Sequence, residues 1–130
     1  MKIAVVGTGM IARDALTALR AVDGIEVVTI CARPHSRDRA QAMAQEFDIP
    51  QVAMDYGAML AAHEADFVYL GIVNSAHFDY ARQAIEAGWH VIVEKPFTST
   101  LAEAEELIAR ARAAQCYLFE AVTPLFLPNY

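Results

Sequence analysis

Gly7-Thr8-Gly9-Met10-Ile11-Ala12 is a G-x-G-x-x-A pattern set directly between an apolar run, Lys2 to Val6, and a segment with apolar residues at helical spacing. Each small residue answers a separate demand. Gly7 permits a tight turn, Gly9 lets a pyrophosphate approach the backbone, and Ala12 lets the following helix pack on the strand. The backbone N–H groups of Thr8, Met10 and Ile11 then stand at the positive end of a helix dipole, where an anion is favoured. The pattern in this strand-turn-helix setting points to dinucleotide binding. A purely structural glycine turn is the alternative.

The end of the second strand decides which dinucleotide is expected. An acid about 20 residues beyond the glycines would bond the adenosine ribose hydroxyls of NAD. Between Glu26 and Asp38 the chain reads VVTICARPHSR and contains no acid. Arg33 and Arg37 offer guanidinium forks for a phosphate, and Ser36 adds a hydroxyl at a helix N-terminus. NADP is therefore expected ahead of NAD, with NAD still possible; solvated loop charges are the alternative reading of the arginines. The missing acid also argues against S-adenosylmethionine.

Two further polar clusters follow apolar runs: NSAH, Asn74 to His77, and EKP, Glu94 to Pro96. Carboxyl ends of strands are where open α/β sheets bind ligands. With these motifs the chain resembles the Gfo/Idh/MocA oxidoreductases, whose N-terminal domains carry G-x-G-x-[ILM]-[AG], P-N-x-x-H and E-K-P in this order. EKPF and LFEAVTPLFLPNY look most like the dihydrodiol and sugar dehydrogenase-like members. The resemblance spans essentially the whole chain and departs at Val73, where the family more often has proline. It implies that Asn74 and His77 lie near the nicotinamide half of the cofactor, Glu94 near its ribose, and Lys95 against both nicotinamide and substrate hydroxyl. A lysine ammonium there stabilises an alkoxide developing as hydride leaves. The alternatives are a surface charge for Lys95, a packed helix-start residue for His77 and a turn residue for Asn74.

The elements needed to position these residues are legible as an alternation. Strands are expected at Lys2–Val6, in GIEVVTICA, IPQVAMD, ADFVYLGIV and WHVIVE, and in CYLFEAV. Helices are expected over 10–21, from a Ser36 cap to about 47, from about 56, over 76–87 ending at Gly88, and over 101–113 with Thr100 and Glu103 as a capping box. Apolar strands alternating with amphipathic helices predict a doubly wound parallel six-stranded sheet, a Rossmann fold in one domain over residues 1–122.

Composition narrows the partners. The chain has 130 residues, 56% of them apolar, and a formal charge of −6. That charge has the wrong sign for a nucleic-acid backbone reader. The longest stretch free of Asp, Glu, Lys and Arg runs from Phe67 to Phe78, short of the roughly 20 residues of a membrane helix. Cys31 and Cys116, both in apolar runs, are expected as buried free thiols in a reducing cytoplasm. No metal site is expected.

The resemblance also implies a second α/β domain supplying the substrate pocket and an Asp/His pair for proton transfer. AVTPLFLPNY, after Glu120, contains no Asp, Glu, His, Cys or Lys. Residues 123–130 are expected to begin the junction to that domain. Leu125, Phe126, Leu127 and Tyr130 there form an apolar cluster able to drive self-association into a homo-oligomer. The expected function is a nicotinamide-dinucleotide-binding domain of an oxidoreductase with little turnover alone, its sugar, polyol or diol substrate bound only where a second domain is supplied. An enzyme completed by another chain and a non-catalytic nucleotide-binding regulator are the alternatives.

Overall fold

Lys2–Val6 forms β1, and everything in it beyond Lys2 is buried. In the computed structural model, which describes residues 1–122, strands and helices then alternate along the chain. They are α1 (Met10–Arg20), β2 (Glu26–Cys31), α2 (Arg37–Glu46), β3 (Gln51–Ala53), α3 (Tyr56–Ala62) and β4 (Phe67–Leu70). There follow α4 (His77–Glu86), β5 (His90–Glu94), α5 (Leu101–Ala114) and β6 (Leu118–Ala121).

All pairings are parallel, and the six strands lie in the order β3-β2-β1-β4-β5-β6. The chain runs outward from β1 to β3, then returns to start β4 on the other side of β1. That reversal is the topological switch point of a doubly wound sheet. Register places the site: Val6 at the end of β1 is opposite Cys31 on one side and Leu70 on the other. The loops after β1, β2 and β4 therefore emerge side by side.

Each face of the sheet has its own core. Ile3, Val5 and Ile30 pack with Ala12 and Leu16 of α1 and Met43 of α2. Val68, Leu70, Val91 and Val93 on the opposite face pack with Leu60, Ala81, Ile85 and Leu107 from α3, α4 and α5. Trp89, before β5, is buried with this second core and donates its indole N–H to the Leu60 carbonyl at 3.1 Å.

Several local expectations are refined. Pro34–Ser36 and Asn74–Ala76 are single 3-10 turns leading into α2 and α4. Ser36 occupies the N-cap position of α2, but its side chain makes no capping bond. Thr100 and Glu103 do form the reciprocal capping box of α5. Gly88, just beyond α4, has φ +82, the left-handed geometry a helix stop favours. Both cysteines are free thiols, but Cys116 is only half-buried and precedes β6 instead of lying within it. No helix among the described residues is long and apolar enough to cross a membrane. The expected junction at 123–130 and its apolar cluster lie outside the described residues.

Candidate functional site

Gly7 leaves β1 with φ +118, and a Cβ built on it would lie 2.2 Å from the Gly71 carbonyl oxygen. Only glycine allows the turns after β1 and β4 to approach so closely. Two backbone bonds fix the arrangement: Gly7 N–H donates to Cys31 C=O, and Gly71 N–H to Val6 C=O, both at 2.9 Å. Behind them Ala12 is fully buried, with its Cβ 3.4 Å from where a Gly71 side chain would start. Gly9 differs. A Cβ there meets nothing within 4 Å, so its missing side chain leaves open space in front of α1.

That space belongs to a cavity of about 480 Å³ at the carboxyl ends of β1, β2 and β4, within the range of small-molecule and cofactor sites. Gly7, Thr8, Gly9 and Ile11 line it after β1, and Arg33 and Ser36 line it beyond β2. Arg39 lines it as well, whereas Arg37 does not. α2 starts at Arg37, directly after the Ser36 N-cap position, and side chains at successive helix positions point in different directions, so Arg39 and not Arg37 lines the cleft. Arg33, Arg37 and Arg39 are exposed, and none is in a salt bridge among the described residues. By contrast, Arg13, Arg20, Arg82 and Arg110 are each paired with carboxylates. An open glycine cradle at one end and free guanidinium groups at the other fit a pyrophosphate and a further phosphate monoester.

The cavity floor holds residues that motif spacing does not expose. Tyr56 of α3 and Tyr80 of α4 both line it, with ring centroids 4.5 Å apart. Tyr56 donates its hydroxyl proton to the Tyr80 carbonyl at 2.7 Å. Burial, with smaller contributions from Cys31 and Tyr80, holds the Tyr56 phenol well above its ordinary range. Cys31 also lines the cavity, and burial, with the Asp55 charge adding to it, pushes its thiol up to about 11. A thiol so disposed stays protonated at neutral pH and is a poor nucleophile. The apolar signal for Tyr56 and Tyr80 was present in the sequence, but at helix positions indistinguishable from ordinary core.

The remaining candidate residues lie outside the cavity lining. Met10 is 80% exposed. Asn74, in the segment after β4, and Lys95, directly after β5, are exposed. Glu94 and His77 are buried. The Glu94 carboxylate accepts the Tyr69 hydroxyl through one oxygen and the Lys95 backbone N–H through the other, the latter at 3.2 Å. Burial first, and then the bond to Glu94 and its charge, push the Tyr69 phenol above its ordinary range. The His77 ring faces two backbone carbonyls and has no exposed surface. Pro96 follows a cis peptide bond. No group of three or more His, Cys, Asp or Glu placed to hold a metal occurs among the described residues.

Residues 1–122 match the oxidoreductase family with the NAD-binding Rossmann fold, Gfo/Idh/MocA. The chain belongs to the Gfo/Idh/MocA family. Among its relatives in that family is D-apiose dehydrogenase of Paraburkholderia graminis, 35% identical over 85% of this chain and 29% of the relative. Trans-1,2-dihydrobenzene-1,2-diol dehydrogenase of Xenopus tropicalis is 34% identical over 94% of this chain and 37% of the relative. Among solved structures, KijD10, a 3-ketoreductase from Actinomadura kijaniata in complex with TDP-benzene and NADP, superimposes with a TM-score of 0.91. It is 34% identical, over 99% of this chain and 40% of KijD10. The chain thus spans well under half the length of these Gfo/Idh/MocA relatives.

Proposed function

We propose that the chain binds NADP(H) in this cleft and serves as the cofactor domain of an oxidoreductase acting on a sugar-, polyol- or diol-like hydroxyl. One observation carries the cofactor choice: the rim beyond β2 presents Arg33, Ser36 and Arg39 to the cavity and no carboxylate. The NADP bound to KijD10 supports the same choice, and the substrate class follows the names of the dehydrogenase relatives.

Bound nicotinamide would supply the hydride acceptor or donor. The chain's own residues do the rest. The N–H groups of Thr8, Met10 and Ile11 would hold the pyrophosphate, and the guanidinium groups of Arg33 and Arg39, with the Ser36 hydroxyl, would hold the 2′-phosphate. Asn74 and Glu94 would orient the far ribose and nicotinamide. With cofactor and substrate bound, the Lys95 ammonium would stabilise negative charge on the oxygen of a reacting hydroxyl. A second domain, beyond the 1–122 unit and reached through 123–130, would complete the substrate pocket. A cytoplasmic setting suits both free thiols and the cofactor.

Cofactor exchange tests this reading. Arg33→Asp or Arg39→Ala should each weaken NADPH by about 1–3 kcal/mol, the range for a charge-assisted bond, with little change for NADH. Arg37→Ala should have the smallest effect of the three. Fluorescence titration of both reduced cofactors reads this, and parallel losses for NADPH and NADH would refute the 2′-phosphate assignment.

A further inference from the structure

Lys95 and Pro96 form an exposed turn, yet bonds from several other elements hold the backbone around them. The Lys95 N–H donates to Glu94, whose carboxylate is fixed in turn by Tyr69 of β4. The Phe97 N–H donates to Glu120 of β6 at 3.0 Å. Between these lies the Pro96 carbonyl, 2.8 Å from Nδ1 of His77 on α4. The other ring nitrogen, Nε2, is 3.1 Å from the Ile72 carbonyl. Ile72 lines the cavity in the loop after β4. One fully buried ring thus joins the loop after β4 to the turn after β5.

Both partners are carbonyl oxygens, so only ring N–H groups can serve them. A ring with two N–H groups donates to both; a ring with one serves the shorter contact when Nδ1 carries it. A turn tied this way has its backbone fixed, and with it the point from which the Lys95 side chain starts.

We infer that His77 is a positioning residue, which clasps the Lys95–Pro96 turn to the β4 loop and sets the nicotinamide end of the cleft without itself touching the cofactor. The inference rests on the NADP(H) reading for its functional consequence, but the clasp itself can be measured without ligand.

Three substitutions separate the two contacts. His77→Asn places an amide N–H near the Nδ1 position and keeps the tie to Pro96. His77→Gln places one near Nε2 and keeps the tie to Ile72. His77→Phe fills similar volume and keeps neither. In the ligand-free chain, amide exchange at Lys95 and Phe97 should speed up at least tenfold in His77→Phe relative to core amides of β1, and His77→Asn should restore most of the protection.

In titrations, His77→Phe should weaken NADPH three- to tenfold and reduce the fluorescence change of the bound nicotinamide. Affinity for 2′,5′-ADP, which occupies only the adenosine end, should stay within twofold. His77→Asn should recover NADPH affinity better than His77→Gln. Unchanged exchange in His77→Phe, parallel loss of both ligands, or no rescue by either amide would overturn the clasp. An unmodified chain that binds neither nucleotide would instead overturn the cofactor reading, while the exchange rates still decide the clasp.

Discussion

Gly7 and Gly9 stand two residues apart and face opposite constraints. A side chain at Gly7 meets the Gly71 carbonyl, whereas one at Gly9 meets open space. Gly7→Ala should therefore destabilise the fold, on the order of 3 kcal/mol from the positive φ and the clash together. Gly9→Val should leave the melting temperature nearly unchanged and abolish nucleotide binding. Thermal melts paired with NADPH titration check both, and a collapsed fold with residual binding for Gly9→Val would make Gly9 a structural turn. Cys31 gives a pH dependence. Burial raises its thiol from 9.0 to about 11, so the folded state holds the proton where the unfolded chain releases it. The associated stability is fully present below pH 9 and is lost as pH rises toward 11, by on the order of 3 kcal/mol. Tyr56 and Tyr69, also raised, add to the loss at higher pH. Denaturant melts from pH 8 to 11 should show the decline, and Cys31→Ala should flatten its first part. Gly7, Gly9, Arg33 and Ser36 were legible in the sequence because their demands are local: backbone freedom beside a strand, and a charge where an acid is normally needed. Arg39, Tyr56, Tyr80 and Tyr69 were not, because what brings them to the site is helix phase and packing between elements distant in sequence.

At the scale of elements, the alternation of strands and helices was legible because each parallel strand is apolar throughout and each helix keeps an apolar stripe. The ends were less so. β3 pairs with β2 over only Gln51 to Ala53, and the ladder sets its length more than the apolar run does. Likewise the 3-10 turns before α2 and α4 have no distinctive composition, and on α2 it is Arg39 and not Arg37 that lines the cleft. The start of α5 was fully readable, since a capping box is a short-range pattern. Thr100→Ala removes the Thr100 oxygen that accepts the Glu103 N–H. It should lower stability by about 1 kcal/mol and leave NADPH affinity within twofold. Chemical denaturation and titration on the same sample would test that; a loss of affinity matching the loss of stability would mean that α5 governs the cleft.

For the whole molecule, the register of β1 with β2 and β4 gathers three loops at the switch point, and the cavity there is where the glycine turn and the arginine rim meet. The overall charge of −6 makes this local concentration of guanidinium groups more specific, since an anion is drawn to the cleft and not to the surface at large. The central claim is that this cleft selects the phosphorylated dinucleotide. Calorimetric titration of the unmodified chain with NADPH and NADH, side by side in one buffer at moderate salt, tests it most directly. NADPH should bind at least about tenfold more tightly, a difference of about 1.4 kcal/mol, and the preference should shrink as salt rises. Equal affinities, or a preference for NADH, would contradict it.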